Sequence, residues 1–483
     1  MKVPYSWLQE LLPGLSAELA GRGDGGPAGE ITKLVETLDG IGLSVEQVLE
    51  QPAAPSGVVV ARVVRVEPVA GSEHLLRAEV TDGDKAYGVV TGAPNTKAGM
   101  LTALAKPGAV LDGGAIVAER ELAGVRSEGV LASPKELGLF DYGGGLIEFA
   151  GDVRPGQPLT ELWPAETVIE LELTPNRADA FSIFGVARDL SAKLALPYRH
   201  PAYGLGGGDE TLETGLRVEL RDRACPRFTL RLIEGVTVGP SPLWLQRRLA
   251  AVGLRSRNNV VDVTNYVTLE LGQPSHAYDR AALYDGAIVV RRAQGGERLT
   301  ALDEEDYALA PADLLITTPN PVRGGDHTVG GVGEVPIGIA GVIGGLQSSV
   351  TGNTRAVALE VAHFDPVTVR KTAKRLGLST EASYRFERGV DPNLPPLAAA
   401  RAAGLIADLA GGRLHPGLTQ VGGDIETRFV RFRPSRVMSL MAIEVPPGEQ
   451  RGYLEALGCT VAPLADDLWD VTTPSWRVDL AIE

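Results

Sequence analysis

Between residues 58 and 122 the chain repeats short β-branched runs separated by tight-turn residues, and this pattern restricts the fold more than any other. Val58-Val-Val-Ala-Arg-Val-Val-Arg-Val66, Arg77-Ala-Glu-Val-Thr81 and Tyr87-Gly-Val-Val-Thr91 read as strands, with Asp82-Gly83 and Gly92-Ala-Pro-Asn95 as turns. Residues 101–105 and 115–122 continue the series. Runs this short and closely spaced predict a small β-barrel, with an oligonucleotide-binding (OB) fold as the natural candidate. Few aromatic or basic residues line these strands, so a purely structural barrel stays open from the residues alone.

The flanking segments change character. Trp7, Leu8, Leu11 and Leu12 recur at helical spacing. Residues 21–29 read as a loop, 32–38 as a short helix and 43–48 as a strand. Near the end of the strand region, Gly124 begins a Gly-rich turn and a strand, after which Ser133-Pro134 is expected to cap a short helix ending at Gly138. Thr174-Pro-Asn-Arg177 leads into a helix over 185–194, so the barrel is expected to interrupt another domain. Residues 204–208 predict a linker.

The largest unit, 210–412, holds the chemistry. Asn258-Asn-Val-Val-Asp262-Val-Thr264-Asn265-Tyr266 opens as a buried strand or helix start and then gathers small polar groups; a Gly272-Gln-Pro274 turn delivers His276. Hydroxyl, amide and imidazole this close in sequence can orient a water or a carbonyl. A turn with its own Asx hydrogen bonds and a structural histidine is the plainer alternative. Pro336-Ile-Gly338-Ile-Ala340-Gly341-Val-Ile-Gly344-Gly345 sets glycines in an apolar run, which fits either close approach of backbone to a ligand or buried helix packing. Val357-Ala-Leu-Glu360-Val-Ala-His363 puts a carboxylate inside an apolar strand, costly unless an arginine or a ligand hydroxyl partners it. Ser241 is expected to cap a helix from Pro242. Asp365-Pro366 should open another, whose Arg370, Lys371, Lys374 and Arg375 form a solvated face or a phosphate contact. Residues 413–483 read as a small α/β unit that stops at Glu483 without a closing element, so a truncated chain is expected.

A net charge of −15 argues against coating nucleic acid through bulk charge but leaves a local basic patch open. Cys225 and Cys459 belong to no Cys-x-x-Cys pair, which makes a disulfide scaffold or zinc ribbon improbable and favours a reducing compartment. With no secretory-type start and no apolar run of about 18 residues, the expectation is a cytoplasmic protein with no membrane span. Neither G-x-G-x-x-G nor a Walker A sequence occurs.

The motifs add up in order: VPYSWL, TGAPN, GVRSEGVLASPKELGL, LTPNRADA, NNVVDVTNYV with QPSHAYD, IAGVIGG, ALEVAHFDP, RKTAKRLGLSTEASYRFERGVDP and TPSWRVDL. Through them the chain resembles, along almost its whole length, the beta subunit of bacterial phenylalanyl-tRNA synthetase. The resemblance implies an α+β multidomain chain. A small OB-type β-barrel of the tRNA-binding kind (53–162) is inserted in an N-terminal α/β domain (1–52 and 163–205), followed by a larger α+β editing domain (210–412). A small C-terminal α/β domain (413–483) is cut at its C-terminal end.

It also implies an alpha subunit as partner in an α2β2 heterotetramer. The alpha subunit uses ATP to attach phenylalanine to tRNA(Phe), while this chain binds tRNA and hydrolyses mischarged tyrosyl-tRNA(Phe); no aminoacylation residues are expected here. By motif position Thr264, Asn265, His276, Ala340, Gly341 and Glu360 fall on the editing pocket, with Glu360 accepting the para-hydroxyl of tyrosine. Asp479 matches a Mg2+-binding position whose other acidic ligands lie beyond Glu483, so the site is incomplete in this chain. The loop at 320–336 is longer than the family pattern needs and could be a lid or a tolerated insertion. A non-catalytic tRNA-binding or assembly module without editing activity is the alternative.

Overall fold

β1 (Lys2–Pro4) runs directly into α1 (Tyr5–Leu11), whose Trp7, Leu8 and Leu11 are spaced to bury one stripe. α2 (Leu15–Gly21), α3 (Pro27–Gly40) and β2 (Ser44–Gln51) follow. α3 begins ahead of the expected 32–38 segment, because a proline suits the first helical turn, where no N–H partner is needed. The structure, a computed structural model, describes residues 1–21, 26–201, 208–319, 333–423, 425 and 428–483. The expected linker residues 204–207 and loop residues 320–332 lie outside the described residues.

The next strands are β3 (Val58–Pro68), β4 (Leu76–Thr81), β5 (Ala86–Thr91), β6 (Leu101–Ala105), the hairpin β7 (Arg120–Leu122) and β8 (Val125–Ser127), and β9 (Val130–Leu131). They pair in the order β5-β4-β3-β6-β9, all antiparallel. An irregularity between Val63 and Arg65 bends β3, so its first half pairs with β6 and its second with β4, the bend a curling sheet requires. Two sequence expectations are corrected here. Of residues 115–122 only 120–122 form a strand. After Ser133 there is one turn, not a helix. Ser133 Oγ donates to Glu136 Oε2 at 2.7 Å and Glu136 N to Ser133 Oγ at 3.3 Å, but Gly138 N turns back to Lys135 O and ends the run.

α4 (Leu159–Leu162) leads to β10 (Glu166–Glu172), which lies between β1 and β2 and rejoins the N-terminal elements. α5 (Ile183–Leu194) starts at Ser182, whose hydroxyl accepts from Gly185 N at 2.9 Å.

The following stretch contains β11 (Arg217–Leu220), β12 (Arg227–Glu234), α6 (Leu243–Ala251), α7 (Val261–Leu271), β13 (Ser275–Asp279), β14 (Ala287–Arg292), β15 (Arg298–Thr300), β16 (Asp306–Ala308) and β17 (Leu314–Pro319). It continues with β18 (Glu334–Ile339), β19 (Ile343–Gly344), β20 (Ala356–His363), α8 (Pro366–Leu376), α9 (Glu381–Phe386), α10 (Pro395–Ala410), β21 (Arg413–Leu414) and β22 (Thr419–Val421). Among the described residues two five-stranded sheets result, one ordered β13-β20-β12-β21 with β22 also on β12 and one ordered β11-β14-β17-β18-β19, while β15 and β16 pair separately. Residues 336–345 are therefore strand, turn and strand, which removes the helix-packing alternative for the glycine run. Ser241 does not cap α6; its hydroxyl donates to buried Asp262 at 2.5 Å, a better partner than a solvated helix end. Asp365 does cap α8, accepting from Thr368 N at 2.7 Å.

Period-two alternation decides what each face of β20 meets. Val357, Leu359 and Val361 enter a core shared with α7, the alanines of α10 and Trp7. Ala358, Glu360 and Ala362 point the other way, where Ala358 and Ala362 share a second core with Ile316, Ile337 and Ile339 of the facing sheet. Glu360 is thus set between two sheets. The last unit comprises β23 (Phe429–Phe432), α11 (Ser435–Met441), α12 (Pro447–Ala456), β24 (Thr460–Ala465) and β25 (Leu468–Thr472), with its sheet ordered β23-β25-β24. Among the described residues no helix is long and apolar enough to cross a membrane.

Candidate functional site

The register of β13 on β20 sets His276 directly opposite Glu360, so both side chains lie on the same face of the sheet. Tyr278, two residues on, shares that face, and its hydroxyl donates to Glu360 Oε2 at 2.5 Å. Glu360 is 5% exposed and Tyr278 1%. The His276 and Tyr278 rings meet edge to face with centroids 4.4 Å apart. Among the described residues His276 Nε2 is buried without a hydrogen-bond partner. A buried polar atom left unpaired costs stability unless a ligand or water meets it, so it marks this cavity as a place for one.

The β18–β19 hairpin forms the opposite wall. Gly341 has φ +70°, and a Cβ there would lie 2.8 Å from Val369 Cγ2 and 3.1 Å from Phe364 Cδ2. A Cβ at Gly344 would overlap the His276 imidazole. Backbone thus approaches side chain more closely than any other residue allows. We expect Gly344→Ala to displace His276 and cost about 1–3 kcal/mol, as overpacking does. Chemical denaturation should read the cost, and the imidazole NMR resonances should move.

α7 forms the adjoining edge. Asn258 Oδ1 accepts from Val260 N and Val261 N, so Asx hydrogen bonds of the plainer alternative are present, and they start the helix. Asp262 is fully buried and accepts from Ser241 Oγ, Ser256 Oγ (2.5 Å) and Arg257 N (2.8 Å). These bonds make it the anchor of the helix. Thr264 Oγ1 donates to Val261 O at 2.7 Å, within its own helix. Asn265 alone of the polar pair reaches the cavity.

The cavity holds about 300 Å³ and is lined by Asn265, His276, Gly341 and Glu360 among others. That is the low end of the roughly 300–1,000 Å³ range of small-molecule pockets. Of the six residues singled out in the sequence, four share this lining. Thr264 faces its helix carbonyl, and Ala340 is buried in the core behind the hairpin. Tyr278, Phe364, Thr380 and Phe386 also line the cavity and went unnoticed in the sequence. Alternation from His276 would have found Tyr278. Nothing local points to Thr380, in the α8–α9 connection, or Phe386, at the end of α9, both of which come in from far along the chain.

Burial raises the Glu360 carboxyl to about 7, against the pull of the Tyr278 hydrogen bond. Burial lowers the His276 imidazole to about 4, so it is neutral at physiological pH. The two groups act on stability in opposite senses. Glu360 binds its proton more tightly folded than unfolded, so its contribution is complete below its ordinary value of 4.5 and lost as pH rises through 7. His276 contributes fully above its ordinary 6.5 and loses this as pH falls toward 4. Comparing urea unfolding of wild type and Glu360→Gln should therefore show a stability difference that shifts in favour of the variant by about 3 kcal/mol between acidic and mildly alkaline pH. An unchanging difference would contradict the burial account.

Asp479 does not fit a magnesium site by itself. Arg477 grips both of its oxygens at 2.9 and 3.0 Å, and Asn176 Nδ2 sits 3.5 Å from Oδ2. A lone carboxylate held in a guanidinium fork lacks the several oxygen ligands that a hard cation needs. Among the described residues no group of three or more His, Cys, Asp or Glu could hold a metal ion.

Comparison with known proteins matches three family models along the chain. They are a putative tRNA binding domain over residues 58–158, a B3/4 domain over 224–411 and a tRNA synthetase B5 domain over 430–483. The B3/4 match encloses the cavity. The chain is similar to phenylalanine–tRNA ligase beta subunits from several bacteria. That of Deinococcus radiodurans is 39% identical, aligned over 100% of this chain and 60% of the relative. Those of Geobacter sulfurreducens and Thermotoga maritima are also 39% identical over 100% of this chain, and over 57% and 58% of their own lengths. The chain therefore spans between 57% and 60% of the length of these relatives.

Proposed function

We infer that, over the stretch it shares with its relatives, the chain is a phenylalanine–tRNA ligase beta subunit, and that it hydrolyses tyrosine wrongly esterified to tRNA(Phe). The observation that carries this reading is the buried Glu360 carboxyl facing a small, largely apolar cavity between two sheets. Tyrosine exceeds phenylalanine by one hydroxyl. Among the described residues Glu360 Oε2 takes the Tyr278 hydroxyl, and Oε1 remains for a ligand's phenol. A phenylalanine ring in the same position would leave that oxygen desolvated and unpaired. Sites built to bond a substrate hydroxyl reject the analogue lacking it by roughly 10⁴ or more, far beyond what an apolar pocket achieves.

The other roles follow from position. Gly341 and Gly344 keep room for the ring. His276, neutral and with an unpaired Nε2, orients water or the ester together with Asn265. Thr264 and Ala340 support these groups from behind.

In the same reading the alpha subunit is the partner, in an α2β2 heterotetramer, and uses ATP with Mg2+ to attach phenylalanine to tRNA(Phe); no step on this chain runs through either. The barrel at 53–162, inserted between the N-terminal halves 1–52 and 163–205, contacts tRNA; the pairing of β10 with β1 and β2 supports this division. The editing domain is 210–412, and 413–483 forms the small last domain. The setting is the cytoplasm.

The test is deacylation of tyrosyl-tRNA(Phe) and phenylalanyl-tRNA(Phe) by this chain together with its alpha partner. Selective cleavage of the tyrosyl ester supports the reading. If neither ester is cleaved while tRNA still binds, the chain is a binding and assembly module, and the editing role is withdrawn.

A further inference from the structure

We propose that Tyr278 is a positioning residue for specificity, which holds one oxygen of the Glu360 carboxyl and so aims the other at an incoming phenol. The proposal rests on the reading of the cavity as a tyrosine-selective ester site.

A glutamate side chain has three rotatable bonds, and fixing them costs entropy that a weak ligand contact cannot supply alone. The Tyr278 hydroxyl supplies it in advance through a 2.5 Å hydrogen bond on the same face of neighbouring strands. No other hydrogen bond of that hydroxyl occurs among the described residues. The ring itself belongs to the core between the sheets, where a phenylalanine would pack as well. The hydroxyl therefore adds only the contact to Glu360. It is also the same chemical group that the site has to recognise, so Glu360 is arranged to hold two phenols, one built in and one arriving.

Few charges surround the pair. β13 contributes His276 and Tyr278, while β12 presents apolar Leu230 opposite Glu360. The buried thiol of Cys225 lies just ahead of β12. α7 offers uncharged Asn265. α9 offers Glu381, which Arg385 already holds at 2.6 Å. Among these, the Tyr278 hydrogen bond is the one that acts directly on Glu360 in favour of its ionised form.

The experiment is calorimetric binding of L-tyrosinamide and L-phenylalaninamide to the full chain, from well below to well above pH 7, for wild type, Tyr278→Phe and Glu360→Gln. Wild type should prefer tyrosinamide, and the preference should rise as Glu360 ionises. Tyr278→Phe should lower that preference about tenfold, the scale of one hydrogen bond to a charged group. It should also move the midpoint of the pH dependence upward, since a bond favouring the carboxylate is gone. Its unfolding should stay cooperative, because only a hydroxyl is lost. Both amides carry the same α-amine, so its titration cancels in their affinity ratio; Glu360→Gln should abolish the pH dependence of that ratio, and if the dependence persists, Glu360 is not the titrating group and the proposal falls. If wild type prefers tyrosinamide and Tyr278→Phe keeps both preference and midpoint, the proposal is overturned while the site reading stands. If wild type shows no preference, the site reading fails and the proposal with it.

Discussion

Glu360→Ala should abolish the preference for tyrosyl over phenylalanyl esters, by a factor on the order of 10² to 10⁴ in relative deacylation rate. The carboxyl stands alone as an acceptor on its face of β20, between Ala358 and Ala362. Truncation leaves a hole that receives either ring, with the Tyr278 hydroxyl on its wall and no carboxylate to accept from a phenol. The phenylalanyl ester should be cleaved faster than by wild type, because the carboxylate oxygen that its ring would leave unpaired is gone. The tyrosyl ester should be cleaved more slowly. Steady-state deacylation of the two esters side by side checks both limbs. A variant slowed equally on both would make Glu360 a general structural residue. A buried carboxyl raised to about 7 pushes the other way on stability, so the alanine variant is expected to fold at neutral pH.

The second large effect lies beneath the site. Arg401 of α10 reaches Glu270 of α7 through two hydrogen bonds of 2.9 Å, and Tyr266 donates to the same carboxylate at 2.8 Å. Glu270 is 1% exposed. Arg401→Met removes the counter-charge and strands a carboxylate in the core. Breaking a buried pair from one side costs about 3–5 kcal/mol, which urea unfolding reads directly. The double variant Arg401→Met with Glu270→Gln should regain much of the loss, because no bare charge is then left. Since α7 carries Asn265, the single variant should also loosen that edge of the cavity. A loss below about 1 kcal/mol would mean that solvent reaches the pair.

Much of the site was legible because strand chemistry is local. The apolar run around Glu360 declares a buried carboxylate before any partner is known. The stretch from Asn258 leaves strand and helix start open, and only the hydrogen bonds from Val260 N and Val261 N to Asn258 Oδ1 select the helix. What could not be read is which of two polar neighbours turns inward. Thr264 and Asn265 are adjacent, and only the helix phase, fixed by Asp262 with its three donors, sends Asn265 to the cavity. Ala340 and Gly341 divide in the same way at the β18–β19 turn. The glycine run 336–345 could not separate hairpin from helix, since its apolar residues suit either and only the pairing with β17 selects the strand. Ser133-Pro134 failed as a helix start because a good cap does not supply the following turns.

The most direct test of the central claim is a crystal structure of this chain with a non-hydrolysable tyrosyl-adenosine analogue. The account predicts the ring between the β18–β19 hairpin and β13. Its phenol oxygen should lie within hydrogen-bond reach of Glu360 Oε1, about 2.5–3.0 Å, and its ester mimic near His276 and Asn265. A ligand bound elsewhere, or in this cavity with its phenol turned away from Glu360, would contradict it.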